Sequence, residues 1–456
     1  MSEESETMMP PMNHIGCVPY DPEAFGYVNW GEYLPHTYTN WRNETLSWKR
    51  SCYISANLSP FPALTIKGPD VIKLLSHVAV NSFAKFPVGT CKHMILCAES
   101  GNVIDHGLIL RTGEDEATSF ITPFYLLYQA EKNGYDVTVT STEEENRNFV
   151  FQLAGPRSLE ILENTVREDL HDLKFMHFTY CTIAGRKVRV LRMGMGGSLS
   201  YEVHGNGNDD GLAVYAEIMR VGKPYGITKL GVNQYVCDHT ENGFPQSGLH
   251  FPGAVLDDPD FVEYMSKVDF YEDAASAEPH GTLSNDIHDY YRNPLELGWD
   301  HMVKFDHDFV GRAALEKLAQ TGHRKMVTLE WNPEDIMKVF ASFFEQGEEP
   351  YDDMPFPLNL GDLGPAENRY QNHKVLADGK TVGVSMWRTY TLYYRKTISL
   401  CSIDPELAQE GTEVKVLWGQ LDGRQLEIRA KVSRFPYLDL VPNKDFDMES
   451  IPRYKG

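Results

Sequence analysis

Sixteen histidines and 65 carboxylates give this chain ample material for acid–base or metal chemistry, but few of them sit at a spacing that performs it. The segment KFDHDF brings Asp306, His307 and Asp308 together. Adjacent residues of an extended segment point to opposite faces, so only the two aspartates share one, and a structural turn is the expectation. No two histidines stand four apart within a clear helix, so no metal is assigned. The sequence contains no GxxxxGK[ST], GxSxG or HExxH. MGMGGS (193–198) lacks the third glycine of a dinucleotide loop and runs into a strand, SLSYEVHG, where such a loop opens a helix. The seven cysteines are scattered, odd in number and without CxxC, which points to reduced thiols in a cytoplasm. Three segments remain that are unusually dense in Gly, aromatic and acidic residues: NVIDHG (102–107), GGSLSYEVHG (196–205) and DYYRNPLELGWDHMVKFDHDFVGRAAL (289–315).

These segments need a large scaffold to bring them together. At ~150 residues per domain, 456 residues suggest roughly three domains. The net charge of −23 disfavours a nucleic-acid partner. No apolar run approaches the ~18 residues of a membrane span, and MSEESETMMPPMN has no basic or apolar region of a signal peptide, so a cytoplasmic protein is expected.

Along the chain, ALTIKG reads as a strand and PDVIKLLSHVAVN as a helix, with Val71, Ile72, Leu74, Leu75 and Val78 on one face. HMILC and NVIDHGLIL form a hairpin about Ser100-Gly101-Asn102, and 123–134 reads as a helix. FVFQLAGPRSLEILENTV repeats the strand, Gly-Pro, helix order of ALTIKGPDVIKLLSHV. The run from 240 to 286 is irregular, which inside a long chain is often functional. From Thr321 onward β-rich runs dominate.

NPLELGWDHMVKFDHDFVGRAAL resembles the signature of the glycine-cleavage T-protein (aminomethyltransferase) family, a P-x-E-x-G segment followed by V-K-F and F-[IV]-G-[RK]-x-A-L. NWRNETLSWKRSC, VNSFAKFP (80–87) and DIHDYYRNP are more similar still to the tetrahydrofolate-dependent aryl ether O-demethylases of vanillate and syringate type, and to the related enzyme that opens the methylenedioxy ring of sesamin. The resemblance runs from about Tyr27 to Tyr437. It implies an α+β fold of three domains in a cloverleaf around a central channel for tetrahydrofolate. The divisions expected are 1–50 with 145–240, 51–144 with 241–300, and a β-rich 301–456. It also implies that Glu202 accepts two N–H bonds from the pterin edge, with Tyr291 and Glu241 on cofactor-cleft segments.

The departures from the family concern the substrate end. Where the family's turn carries an aspartate beside the reacting nitrogen, this chain has His106, with Asp105 one residue earlier. The demethylases' substrate arginine should fall near Ile121 and Thr122, and their tyrosine near His250–Gly253, and neither is present. The expected pocket is therefore neutral and aromatic, walled by Tyr33, Tyr38, Ile121, Thr122, Phe124 and Phe251. Arg111, the nearest cation, is expected in a surface ion pair with the acidic turn 113–116. His106 and His250 are the expected catalytic imidazoles, titrating near neutrality and moving protons. The expectation is folate-dependent cleavage of a neutral aromatic ether, favouring a methylenedioxy group. Aryl methyl ether demethylation, or folate binding without turnover, are the alternatives.

Overall fold

The computed structural model describes residues 18, 20–29, 33–38, 41–58, 63–119, 124–141, 148–194, 196–267, 278–354 and 369–455. Among them, the chain builds one small hairpin and three larger sheets. The first large sheet has six strands in the order Phe178–Ile183, Arg186–Leu191, Ser200–Asn206, Asn148–Ala154, Cys52–Ser55, Ile227–Leu230. Its central strand Asn148–Ala154 is buried along its whole length, because helices Ser158–Val166 and Asn208–Gly222 pack the core of Phe151, Leu162, Val190 and Ile218 over it.

The second sheet has five strands, Cys91–Cys97, Val103–Gly113, Glu116–Ser119, Leu64–Lys67 and Thr138–Ser141. The helix Val71–Val78 buries Val71, Leu74, Leu75 and Val78, the i, i+3, i+4, i+7 face expected from the sequence, with Ile72 at its margin. The expected repeat of strand, Gly-Pro, helix has a shared physical cause. Gly68 (φ +148°) and Gly155 (φ +129°) each end a strand where a Cβ would meet a neighbouring carbonyl, Asp136 O at 2.3 Å and Ser51 O at 2.4 Å. Only glycine fits either crossing.

The third sheet closes into a six-stranded barrel, since Arg369–Ala377 pairs with Glu413–Trp418 as well as with Lys380–Thr391. Trp331, Val375, Val416 and Trp418 fill it. The sequence divisions shift at two places. Cys52–Ser55 pairs with Ile227–Leu230 and Asn148–Ala154, so it belongs to the first sheet. Glu278–His280 pairs with Arg369–Gln371 and so extends the third. Side-chain periodicity marks a strand but not its partner.

The signature segment is the glue between the second and third units. Leu295, Leu297, Trp299, Phe309 and Leu315 share one core with Val80, Ile95, Phe251, Met326 and Met386. Gly311 (φ +83°) lets this segment pass close to the second sheet, where a Cβ would lie 2.4 Å from Ala98 O. His307 is bonded to Asp306 at 2.8 Å and to Ala79 O at 3.0 Å, the structural role expected of KFDHDF. The C-terminal segment returns to the first sheet, where Asn443 bonds Ser200 and is held by Arg192.

Candidate active site

A cavity of about 730 Å³ lies where these units meet. The second sheet contributes Cys91 and His93, the first unit Met176, Met193 and Gly194, and the chain after the helix Val232–Glu241 contributes Phe244. Lys85, Lys304 and Lys444, all exposed, stand at its rim. The thioethers and aromatic rings of this wall suit a flat apolar ligand, and Asn81, Lys92, Asn242 and Asp306 also line it.

His93 and His106 sit on paired strands, with His93 opposite Leu108 and His106 opposite Ile95, so they are diagonal neighbours on one face. His93 Nε2 and His106 Nδ1 are 2.9 Å apart. The backbone N–H of Ser247 donates to His106 Nε2 at 3.0 Å. Rings enclose the pair: Trp299 lies 5.0 Å from His93 and 4.7 Å from His106, Phe244 touches both, and Phe251 stacks on His106 at 6.0 Å and 23°. Burial, then the neighbouring His93, His239 and His250, hold His106 well below the usual imidazole range. Burial pushes His93 down to about 3. Both rings are therefore neutral at pH 7. The expectation that His106 titrates near neutrality is corrected, for desolvation decides its charge.

Glu202 lies on Ser200–Asn206, and its Oε2 accepts from His204 Nε2 at 2.8 Å. Residues two apart on a strand share a face, which puts both side chains together. Burial first, and the Glu202 charge second, raise the Cys91 thiol and the Tyr235 phenol, which locates this carboxylate beside the cavity wall that Cys91 forms.

The other expected site residues divide sharply. Phe251 is in the ring cluster with His106. His250 is close to it but wholly buried. Its Nδ1 accepts from the Gln246 N–H at 3.1 Å, so its Nε2–H donates to Thr240 Oγ1 at 3.3 Å. With both nitrogens committed and burial lowering it to about 3, His250 is a structural residue here. Glu241 belongs to a buried network: Lys49 Nζ pairs with it at 2.5 Å and Trp48 Nε1 donates to it at 3.1 Å. The Tyr291 hydroxyl is bonded to the Leu256 backbone. Tyr33 is 41% exposed on the small hairpin Tyr27–Asn29/Tyr33–Pro35. Tyr38 packs beside Tyr215 with Lys229 over its ring, and Phe124 packs against the second core. Ile121 and Thr122 lie outside the described residues. Arg111 is not at the surface. It is 8% exposed, and among the described residues its Nη1 has no hydrogen-bond partner. Its strand buries it there.

His93, Phe244 and Trp299 escaped the sequence reading. The signal for His93 was present: a hairpin turning at 100–102 sets 93 against 108, diagonal to 106.

Residues 23–251 match the family model described as the GCVT N-terminal domain. The chain is 40% identical over 441 residues to the sesamin methylene transferase of Sinomonas sp. (strain No.22), covering 94% of each chain. It is 31% identical over 435 residues to the syringate O-demethylase of Sphingobium sp. (strain NBRC 103272 / SYK-6), covering 89% of this chain and 90% of that one. Among solved structures, the glycine cleavage system aminomethyltransferase T from Bartonella henselae aligns with a TM-score of 0.65 at 15% identity, covering 92% of this chain and 96% of that one. That likeness bears on the fold alone, and it matches the three-unit α+β architecture.

Proposed function

Because this chain belongs to the GCVT family, the tetrahydrofolate-dependent one-carbon transferases of aminomethyltransferase type, we propose that it cleaves a neutral aromatic ether, favouring a methylenedioxyphenyl compound that leaves as a catechol. The observation that carries the reading is 40% identity sustained over 94% of both chains to a sesamin methylene transferase. The neutral ring cluster of His93, His106, Phe244, Phe251 and Trp299 supports an uncharged aromatic substrate, since it offers apolar burial.

The residues fit tetrahydrofolate. Glu202, behind the Cys91 wall, has one oxygen held by His204 and a second for an N–H-rich heterocycle edge, the Met176 and Met193 thioethers line the cavity, and the rim lysines suit a carboxylate tail. Bound tetrahydrofolate supplies two amine nitrogens that take the bridging carbon, and their protons end on the catechol oxygens, so no oxidant is required. Glu202 orients that ligand, while Phe244, Phe251 and Trp299 exclude water from the ether carbon.

The test incubates the purified protein with tetrahydrofolate and either a methylenedioxybenzene or a methoxyarene, and identifies the folate product by mass spectrometry. 5,10-Methylene-tetrahydrofolate with a catechol is expected. 5-Methyl-tetrahydrofolate with a phenol would establish the demethylase alternative, which the 31% identity to syringate O-demethylase favours together with the buried guanidinium of Arg111. No product from either ether would leave a binding protein.

A further inference from the structure

The hydrogen bonds of the histidine pair fix where each proton sits. A backbone N–H only donates, so His106 Nε2, bonded to Ser247, is an acceptor. A neutral His106 then carries its proton on Nδ1 and donates it to His93 Nε2. His93 in turn must carry its own proton on Nδ1. That Nδ1 is buried and has no hydrogen-bond partner among the described residues, while His93 lines the cavity. A buried donor left unsatisfied is rare and calls for an explanation. His106, by contrast, has no nitrogen left to offer.

We propose that His93 is the catalytic hydrogen-bond donor to the ether oxygen that leaves, and that His106 is its positioning residue. This rests on the proposed ether cleavage. As the aryl C–O bond breaks, its electron pair moves onto oxygen, and the His93 Nδ1–H stabilises that developing phenolate. The proton itself stays on His93. A transfer would require His106 to pass its Nδ1 proton to His93 Nε2, leaving an imidazolate that the non-acidic Ser247 amide cannot reprotonate. The phenol's final proton therefore comes from the amine that takes the carbon. A neutral imidazole N–H does this without the low pKa of an imidazolium, and the enclosing rings keep it neutral.

Two measurements test the assignment. Nitrogen-15 NMR of histidine-labelled protein, with His93 assigned by difference from His93→Ala, should find the Nδ1–H tautomer in the wild type and a mixture in His106→Phe. An Nε2–H tautomer in the wild type overturns the proposal without any assay. In turnover, His93→Ala should lower kcat about 100-fold, as removal of an oxyanion donor does. It should also steepen the dependence of kcat on the pKa of the leaving phenol, and leave folate affinity within about threefold. His93→Asn places an amide N–H where Nδ1–H stood and should recover about tenfold of that loss, whereas His93→Gln should not. Equal kcat for the Asn and Ala variants, or an unchanged leaving-group slope, refutes the role. If wild-type protein turns over no aryl ether, the proposed function fails instead.

Discussion

Two histidines in this molecule differ in charge. His93, in the ring cluster, is neutral, whereas His171, in the first unit, has both nitrogens bonded to oxygens, Glu163 Oε1 at 2.8 Å and Ile451 O at 2.9 Å. Carbonyl and carboxylate oxygens only accept, so His171 carries both protons and is an imidazolium. Burial works against that charge, but the Ile451 carbonyl and then Glu163 raise it above the ordinary value. Its cover is thin, half-exposed Asp169 among it, while His93 lies beneath aromatic rings. His204 is the intermediate case: it has a carboxylate partner in Glu202, yet burial still wins and lowers it. One acceptor under a deep apolar cover leaves an imidazole neutral, and two acceptors under a thin one charge it. Glu163, Asp169 and His171 offer ligand atoms within reach of one ion, but in this hydrogen-bonded arrangement both ring nitrogens of His171 are taken by oxygens. A ring with both nitrogens protonated has no lone pair to give.

The contrast can be broken first at His171. His171→Ala leaves the buried Glu163 carboxylate without its cation, a loss of about 3–5 kcal/mol. The urea midpoint should fall and kcat should stay near wild type. A fall in kcat with an unchanged midpoint would place His171 in the reaction instead. Raising the pH acts in the same direction. A raised folded pKa contributes stability below about 6.5 that is lost as pH rises through the folded value. Hydrogen exchange of the 443–451 segment should therefore quicken on the alkaline side.

Glu202→Ala sharpens the intermediate case. It removes the partner of His204 and, in the proposed function, the anchor of the pterin edge. Charge-assisted bonds of roughly 1.5–3 kcal/mol give about 10- to 100-fold weaker tetrahydrofolate binding by calorimetry. Unchanged affinity takes Glu202 out of the site.

The neutral cluster is exposed by acid. His93 and His250 lie at about 3 and His239 at about 4, all through burial. Unfolded imidazoles take protons below about 6.5 and these do not, so the unfolded chain binds more protons in between and stability falls as pH drops. At pH 5 each imidazole costs about 2 kcal/mol. The urea midpoint should decline from pH 7 to pH 5, and less steeply in His250→Asn. An identical decline in that variant would show that His250 is charged in the folded protein. The smallest effect is expected at Tyr33. Exposed on its hairpin, Tyr33→Ala should leave KM for the aromatic ether within about twofold, and a larger rise would bring that hairpin into the pocket.

The sequence alone determined what is periodic or local. The helix Val71–Val78, the hairpin about 100–102 and the paired glycine crossings follow from spacing and from turn residues. The signature segment was legible as a family resemblance, and its packing between two units gives that pattern its physical sense. What only the tertiary structure decided was which faces meet. His250 and Glu241 stand on segments near the cavity, but a Thr240 hydroxyl and the Lys49 ammonium, which comes from far along the chain, hold them in the framework. Arg111 reads as a surface residue until its strand turns it inward. His106 looks like a titrating imidazole until Trp299, nearly two hundred positions away, covers it. Charge state, tautomer and access all depend on atoms that sequence distance does not order, so only packing could decide them.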